Sequence, residues 1–249
     1  MAGMKLYSHE FYLTAAEVNA QREMPLSRLV TLIIDTATGH ANAIGIGFDR
    51  MISYGISWVL SRLTIDIQRP LSVNHAYRID TWIENLNRMF SDRNFEIIDV
   101  ETGEAIVWAH STWMAINMET RRPSDLTMLT EMTDSINGRP YPYDKGGKLL
   151  PVTDETEEKT YRFAVSDIDV NRHVTTRRYV DLIVDQWSLE RFDANRVSRF
   201  EIAFKREARY DELSRTVSAP HEGSPEVFDV MIEVNTAPCA LARIYFTQR

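Results

Sequence analysis

The chain is 249 residues long, 44 % hydrophobic and 26 % charged, enough to bury a core as one large or two smaller domains. A formal net charge of −8 argues against a general affinity for nucleic acid, because phosphate binding needs a positive surface. The single cysteine, Cys239, rules out an internal disulfide and no Cys/His cluster has zinc spacing. Met1 to Glu10 lack the apolar core of a secretory leader, and no apolar run approaches the roughly 20 residues that span a bilayer. The expectation is therefore a cytoplasmic protein without membrane insertion, structural metal or organic cofactor.

In chain order, a strand around Leu6–Leu13 leads through Glu17-Val18-Asn19 to a helix expected from about Leu26 to Ile44. Its apolar face, Leu26, Leu29, Val30, Ile33, Ile34, Ala37 and Ala41, follows the 3.6-residue period. Gly45 and Gly47 suit its exit. Strand character follows at Ser57–Gln68, Tyr77–Leu86, Phe95–Val100 and Ala105–Asn117, with Glu101 to Glu104 as the turn between the last two. One helix with antiparallel strands to wrap it makes a complete unit.

From about Arg121 to Glu158 the pattern dissolves into Pro123, Asn137-Gly138, Pro140, Pro142, Gly146-Gly147 and Pro151, a linker rich in turn formers. The second half then repeats the first. A short strand is expected at Phe163–Ser166, a helix from about Val174 to Phe192, and strands near Val197–Arg206, Ser214–Pro220, Val227–Val234 and Ala240–Thr247. Val30, Leu32, Ile33 and Asp35 line up with Val180, Leu182, Ile183 and Asp185, and Ser61 to Ile65 with Ser198 to Ile202. The halves read as duplicates of one helix-plus-sheet unit, which makes the fold class α+β.

The second helix is preceded by a polar loop with Asp169, Asn171 and His173 at alternate positions. Unpaired N–H groups and the peptide dipoles give a helix start partial positive charge, which would stabilise a carbonyl that is gaining negative charge. Matching Glu17-Val18-Asn19 to Asp169-Val170-Asn171 places Glu17, Asn19 and Gln21 where the second copy has Asp169, Asn171 and His173, and Pro70 where it has Glu207. Only the second copy then keeps an imidazole and a second acid, so one site per chain is expected. Phe200, Ile202 and Phe204 alternate onto one strand face, so a bulge, a strand end or the opposite face must bring Glu207 to His173. Trp58, Trp82, Met89, Phe90, Trp108 and Trp113 could line a tunnel, but ordinary core is the better reading for any one of them.

Asp169 to Val180, followed by Phe204-Lys205-Arg206-Glu207-Ala208, resembles the catalytic region of the acyl-ACP thioesterases, which release fatty acids from acyl carrier protein. The resemblance extends over nearly the whole chain, including Ser57 to Arg62, Trp113 to Asn117 and Arg121-Arg122-Pro123. It implies two tandem hotdog domains: 1–121, the acyl-pocket half; a linker at 122–157; and 158–249, carrying the catalytic residues. It also implies hydrolysis of a fatty acyl thioester to free acid and holo-carrier, with Asp169, Asn171, His173 and Glu207 as the site. In that assignment Glu207 is general base or nucleophile, His173 orients water or shares the proton, Asn171 holds the carbonyl or water, and Asp169 holds the His173 tautomer or fixes the loop. Plant members carry a cysteine after the glutamate; Ala208 stands there instead, which rules out a thiol nucleophile at that position. No G-x-S-x-G and no glycine-rich phosphate loop occurs.

The implied partners are acyl carrier protein with its acyl-phosphopantetheine arm and the fatty acyl chain, with a homodimer left open. The basic clusters Arg121-Arg122, Arg172 with Arg177-Arg178, and Lys205-Arg206 with Arg209 could meet an acidic partner, and the carrier is expected on the arginines around the second helix. Three alternatives stand beside this reading: a hotdog hydratase or dehydratase acting on enoyl or 3-hydroxyacyl thioesters, an acyl-CoA thioesterase, and a non-catalytic acyl-binding module.

Overall fold

The computed structural model describes residues 3–127, 129 and 134–249. Their backbone forms two compact units. One comprises residues up to Thr14, Leu32–Asp66 and Asn74–Lys145; the other comprises Ala15–Thr31, Ile67–Val73 and Gly146–Arg249.

The strands that begin in the first half are β1 (Tyr7–Leu13), β2 (Ile56–Ile67), β3 (His75–Leu86), β4 (Ser91–Asp99) and β5 (Ala105–Asn117), in the order β1-β3-β4-β5-β2. The pairs β1–β3, β3–β4 and β4–β5 are antiparallel. Helix α1 (Leu26–Ala43) buries Leu29, Val30, Ile33 and Ala37, the face its periodicity assigns. It meets the first unit's strands closely near its C-terminal end. A side chain on Gly39 would sit 2.8 Å from the Tyr7 hydroxyl, and the Tyr7 ring stacks on His40. A six-residue helix, α2 (Phe48–Ser53), follows and was not anticipated; its one buried side chain, Met51, joins Ile46, Ile56, Ala115, Leu126 and Leu129 in a small core.

The second half repeats the topology. Strands β6 (Glu157–Arg162), β7 (Asn195–Phe204), β8 (Leu213–Pro220), β9 (Val227–Val234) and β10 (Ala237–Gln248) are ordered β6-β8-β9-β10-β7, the same sequence of connections as in the first half. The tandem helix-and-antiparallel-sheet α+β architecture is as expected. Trp82 and Trp108 are packing residues: Trp82 is fully buried, its indole N–H donates to the Arg139 carbonyl at 2.7 Å, and the Arg139 guanidinium lies over both rings.

Two expected elements are corrected. The short strand expected at Phe163–Ser166 lies earlier, at Glu157–Arg162, and is followed by a 3-10 turn over Val165–Asp167. Among the described residues that strand pairs only with β8 and is almost wholly exposed, so its charged run Glu-Glu-Lys-Thr-Tyr-Arg shows no apolar alternation. The helix expected over Val174–Phe192 is two helices, α3 (Thr176–Val184) and α4 (Leu189–Ala194). The apolar period runs on through Trp187, but that side chain is claimed by Phe228 and Phe246, at ring separations of 5.4 and 5.1 Å. The backbone tightens there into i+3 bonds, Gln186 N–H to Ile183 O and Trp187 N–H to Val184 O.

The turn-rich stretch after the first half packs against strands. Tyr141 donates to the Asp66 carboxylate at 2.5 Å, while Leu149 and Val152 cover Ala203, Val217, Met231 and Leu241. Among the described residues no helix is long and apolar enough to cross a membrane.

Candidate active site

The loop before α3 is held by its own backbone. Asp169 Oδ1 accepts from the N–H groups of Asn171 (2.8 Å) and His173 (3.0 Å). Asp169 N–H donates to His173 O at 2.8 Å and Arg172 N–H to Asp169 O at 3.0 Å. Closing so tight a loop puts Arg172 at φ 65°, in the left-handed region. Asp169 therefore fixes the loop; of its two expected roles, holding the His173 tautomer is not what its carboxylate does here.

Beneath the loop lies a second acid that the sequence reading passed over. The Asp167 side chain is completely buried and accepts from Ala164 N–H (2.8 Å), the Tyr161 hydroxyl (3.0 Å) and Arg178 Nε (2.6 Å). Burial alone would raise its pKa, but the bonds from Ala164 and Arg178 outweigh it and hold the carboxyl below its ordinary value. Thr175 caps α3, its hydroxyl accepting from Arg178 N–H, and Thr175 N–H donates to Asp167 O at 2.7 Å. Only a Thr just ahead of an apolar-periodic run marked this in the sequence.

Glu207 arrives by a strand end. Strand β7 stops at Phe204, and the next two N–H groups, of Lys205 and Arg206, both turn to Cys239 O. Ala208 is then pinned on both sides: its carbonyl accepts from Val174 N–H at 2.9 Å, and its N–H donates to the buried Tyr179 hydroxyl at 3.0 Å. The Tyr179 ring is wedged between Phe163 and Phe204. These contacts bring Glu207 Oε2 to 3.1 Å from His173 Nε2, with side-chain exposures of 34 % and 17 %. Asn171 stands on the exposed side of the loop, two residues before His173. Of the four expected residues, the structure brings His173 and Glu207 into contact and builds Asp169 into the loop's frame. Cys239 is buried, and burial pushes its thiol pKa up, away from thiolate chemistry.

The two copies align in a different register from the one expected. The first-half loop has the same bonds: Asn19 Oδ1 accepts from Gln21 N–H and Glu23 N–H, Asn19 N–H donates to Glu23 O, and Arg22 N–H to Asn19 O. Arg22 has φ 63°, and Met24 N–H donates to Leu71 O as Val174 N–H does to Ala208 O. Asn19 therefore matches Asp169, Gln21 matches Asn171, Glu23 matches His173 and Pro70 matches Glu207. The expected pairing of Glu17, Asn19 and Gln21 with the three site residues was two positions out of register. Glu17 instead matches Asp167, and its ion pair with Arg28 matches that of Asp167 with Arg178. The helix alignment of Val30 with Val180 already contained this offset.

A histidine touching a carboxylate at a helix mouth has the chemistry to exchange a proton beside a helix start, which favours developing negative charge. Solved structures match the fold over nearly the whole of the chain. The structure superimposes on an acyl-ACP thioesterase from Bacteroides thetaiotaomicron with a TM-score of 0.89 at 28 % identity, covering 97 % of this chain and 98 % of that one. It matches the fold of the 12:0-ACP thioesterase from Umbellularia californica with a TM-score of 0.88 at 20 % identity, over 98 % and 94 % of the two chains. A palmitoyl-acyl carrier protein thioesterase of Gossypium hirsutum is 23 % identical over 89 % of this chain and 56 % of its own length. The chain spans just over half the length of the curated relatives it matches first. Residues 4–136 match the acyl-ACP thioesterase N-terminal domain and residues 151–247 the C-terminal domain, so the chain belongs to the acyl-ACP thioesterase family.

Proposed function

We propose that the chain hydrolyses fatty acyl thioesters on acyl carrier protein, releasing free fatty acid and holo-carrier, with Glu207, His173, Asn171 and Asp169 as its working residues. The observation that carries this is the 3.1 Å contact between His173 Nε2 and Glu207 Oε2 at the mouth of α3. Water held beside the pair attacks the thioester carbonyl carbon as Glu207 takes its proton. Partial positive charge at the start of α3 stabilises the oxyanion. When the C–S bond breaks, the proton passes to the departing thiolate and His173 keeps the pair aligned. Asn171, with no charge to repel the oxyanion, orients the carbonyl or water, and Asp169 keeps the loop closed.

The carrier is acidic in this reading and meets Arg172, Arg177 and Arg209, all exposed around this mouth. Arg178 is better excluded from that set, because its guanidinium is engaged by buried Asp167. We assign the acyl pocket to the N-terminal half, 1–121, the linker to 122–157 and the chemistry to 158–249. A reducing compartment such as the cytoplasm suits the single, buried Cys239.

The test is thiol release from acyl-ACPs and matching acyl-CoAs by wild type and Glu207→Ala. Loss of about 100-fold or more in the variant is the scale of a missing general base. An unaffected variant removes Glu207 from the mechanism, and a wild type that releases no thiol removes the hydrolase.

A further inference from the structure

The first-half loop, built on the same bonds as the candidate site but without its reactive groups, opens onto a cleft of about 360 Å³. This is within the size range of small-ligand sites, about 300–1,000 Å³. The loop supplies Asn19, Gln21 and Glu23 to the rim; the wall is Met24, Leu29, Leu71, Val184, Trp187 and Phe192. All of them belong to the second compact unit. Val184 ends α3 and Phe192 lies on α4, so the break between the two helices turns apolar side chains toward the loop. Trp187 in that break is held by Phe228 and Phe246, which gives the cleft a fixed aromatic wall.

We propose that this cleft is a second, non-hydrolysing site for an acyl chain with an uncharged end, such as an acyl-pantetheine. The identity of the ligand rests on the functional reading above. A duplicated loop frame facing an aliphatic and aromatic wall fits the same class of ligand. The residues that would do chemistry are gone: Glu23 stands for His173 and Pro70 for Glu207, so no imidazole–carboxylate pair exists to take a proton from water.

The charges select the uncharged end. Arg249 is committed, binding both Glu23 oxygens at 2.5 and 2.9 Å and the Phe192 carbonyl at 2.8 Å. Arg196 donates to Ile67 O at 3.0 Å. Glu23, Asp181 and Asp185 also line the cleft, three carboxylates against two guanidiniums. Burial first, and then the nearby Asp181, raise the Asp185 pKa, so this end of the cleft disfavours negative charge. A free fatty-acid anion would add to it.

Equilibrium dialysis with the amide analogue of dodecanoyl-pantetheine, in which NH replaces the thioester sulfur, tests this on the full chain. Wild type should bind two equivalents and Val184→Trp, which fills the cleft, one. Dodecanoate should occupy the cleft at least ten-fold more weakly than the analogue. One equivalent on both proteins overturns the site, and equal affinity for dodecanoate overturns the selection of an uncharged end. Should Val184→Trp not fold, tryptophan emission serves: the change on adding analogue to wild type should be largely lost in Trp187→Phe, and its full retention overturns the site. Stoichiometry does not depend on turnover. Two equivalents on a wild type that releases no thiol leave the cleft standing while the hydrolase falls; one equivalent on an active wild type does the reverse.

Discussion

Ala208 carries no reactive group, yet the placement of Glu207 depends on it. Both its backbone polar groups are used, the carbonyl by Val174 N–H and the N–H by Tyr179, and the residue is fully buried. Tyr179→Phe keeps the ring between Phe163 and Phe204 but strands a buried N–H, a loss of about 1–3 kcal/mol. We expect a lower melting temperature together with a fall in kcat of about ten-fold, read by thermal unfolding and by thiol release under saturating substrate. A destabilised variant with unchanged kcat would show that Tyr179 supports the fold and not the alignment of Glu207. This dependence explains why the position of Glu207 beside His173 was the least legible feature of the candidate site. Alternation along Phe200, Ile202 and Phe204 says nothing of a strand that ends at Phe204 because Cys239, far along the chain, takes the next two N–H groups. His173 and Asp169 were legible because their loop is closed by near neighbours.

At the scale of the element, the loops entering α1 and α3 each pair an acid with an arginine of the helix, and the two pairs differ in burial. Asp167 is completely buried against Arg178, which is 27 % exposed, whereas Glu17 and Arg28 are 30 % and 42 % exposed. Removing one partner of a buried pair leaves an uncompensated charge and costs about 3–5 kcal/mol, while exposed pairs contribute about 0–1 kcal/mol. Asp167→Asn should therefore destabilise by about 2–4 kcal/mol, less than the full range because Arg178 reaches solvent. Glu17→Gln should cost under about 1 kcal/mol. Urea unfolding of the two variants side by side reads the difference, and equal midpoints would refute the assignment. Elements with local signals were well marked: α1 by its apolar period, and β5 by its bounding turn. The misread ones lack such signals. Strand β6 is a charged edge, and the break between α3 and α4 is set by where Trp187 packs, a tertiary fact that periodicity does not encode.

For the whole molecule, the duplication was legible because buried positions repeat at a constant offset along the helices, and the same sheet order appears in both halves. The first half also holds a buried polar group that couples folding to pH. His40 on α1 is fully buried, its Nδ1 2.6 Å from an Arg93 guanidinium nitrogen on β4 and its Nε2 3.0 Å from Met4 O. A guanidinium only donates, so Nδ1 accepts, the proton sits on Nε2, and the ring is neutral. Burial first, and then the Arg93 charge, lower the His40 pKa from 6.5 to about 4. The unfolded chain therefore takes up a proton that the folded chain refuses. The associated stability is fully present above pH 6.5 and is lost as the pH falls toward 4, amounting to about 3 kcal/mol when the loss is complete. The urea midpoint should fall across that window while Asp167, whose pKa is held below its ordinary value, stays ionised. His40→Gln can still accept from Arg93 and donate to Met4 O but cannot titrate. It should be less stable than wild type at pH 7.5 and should lose most of the slope between pH 6.5 and 4. A slope that survives the substitution would place the acid sensitivity on another group.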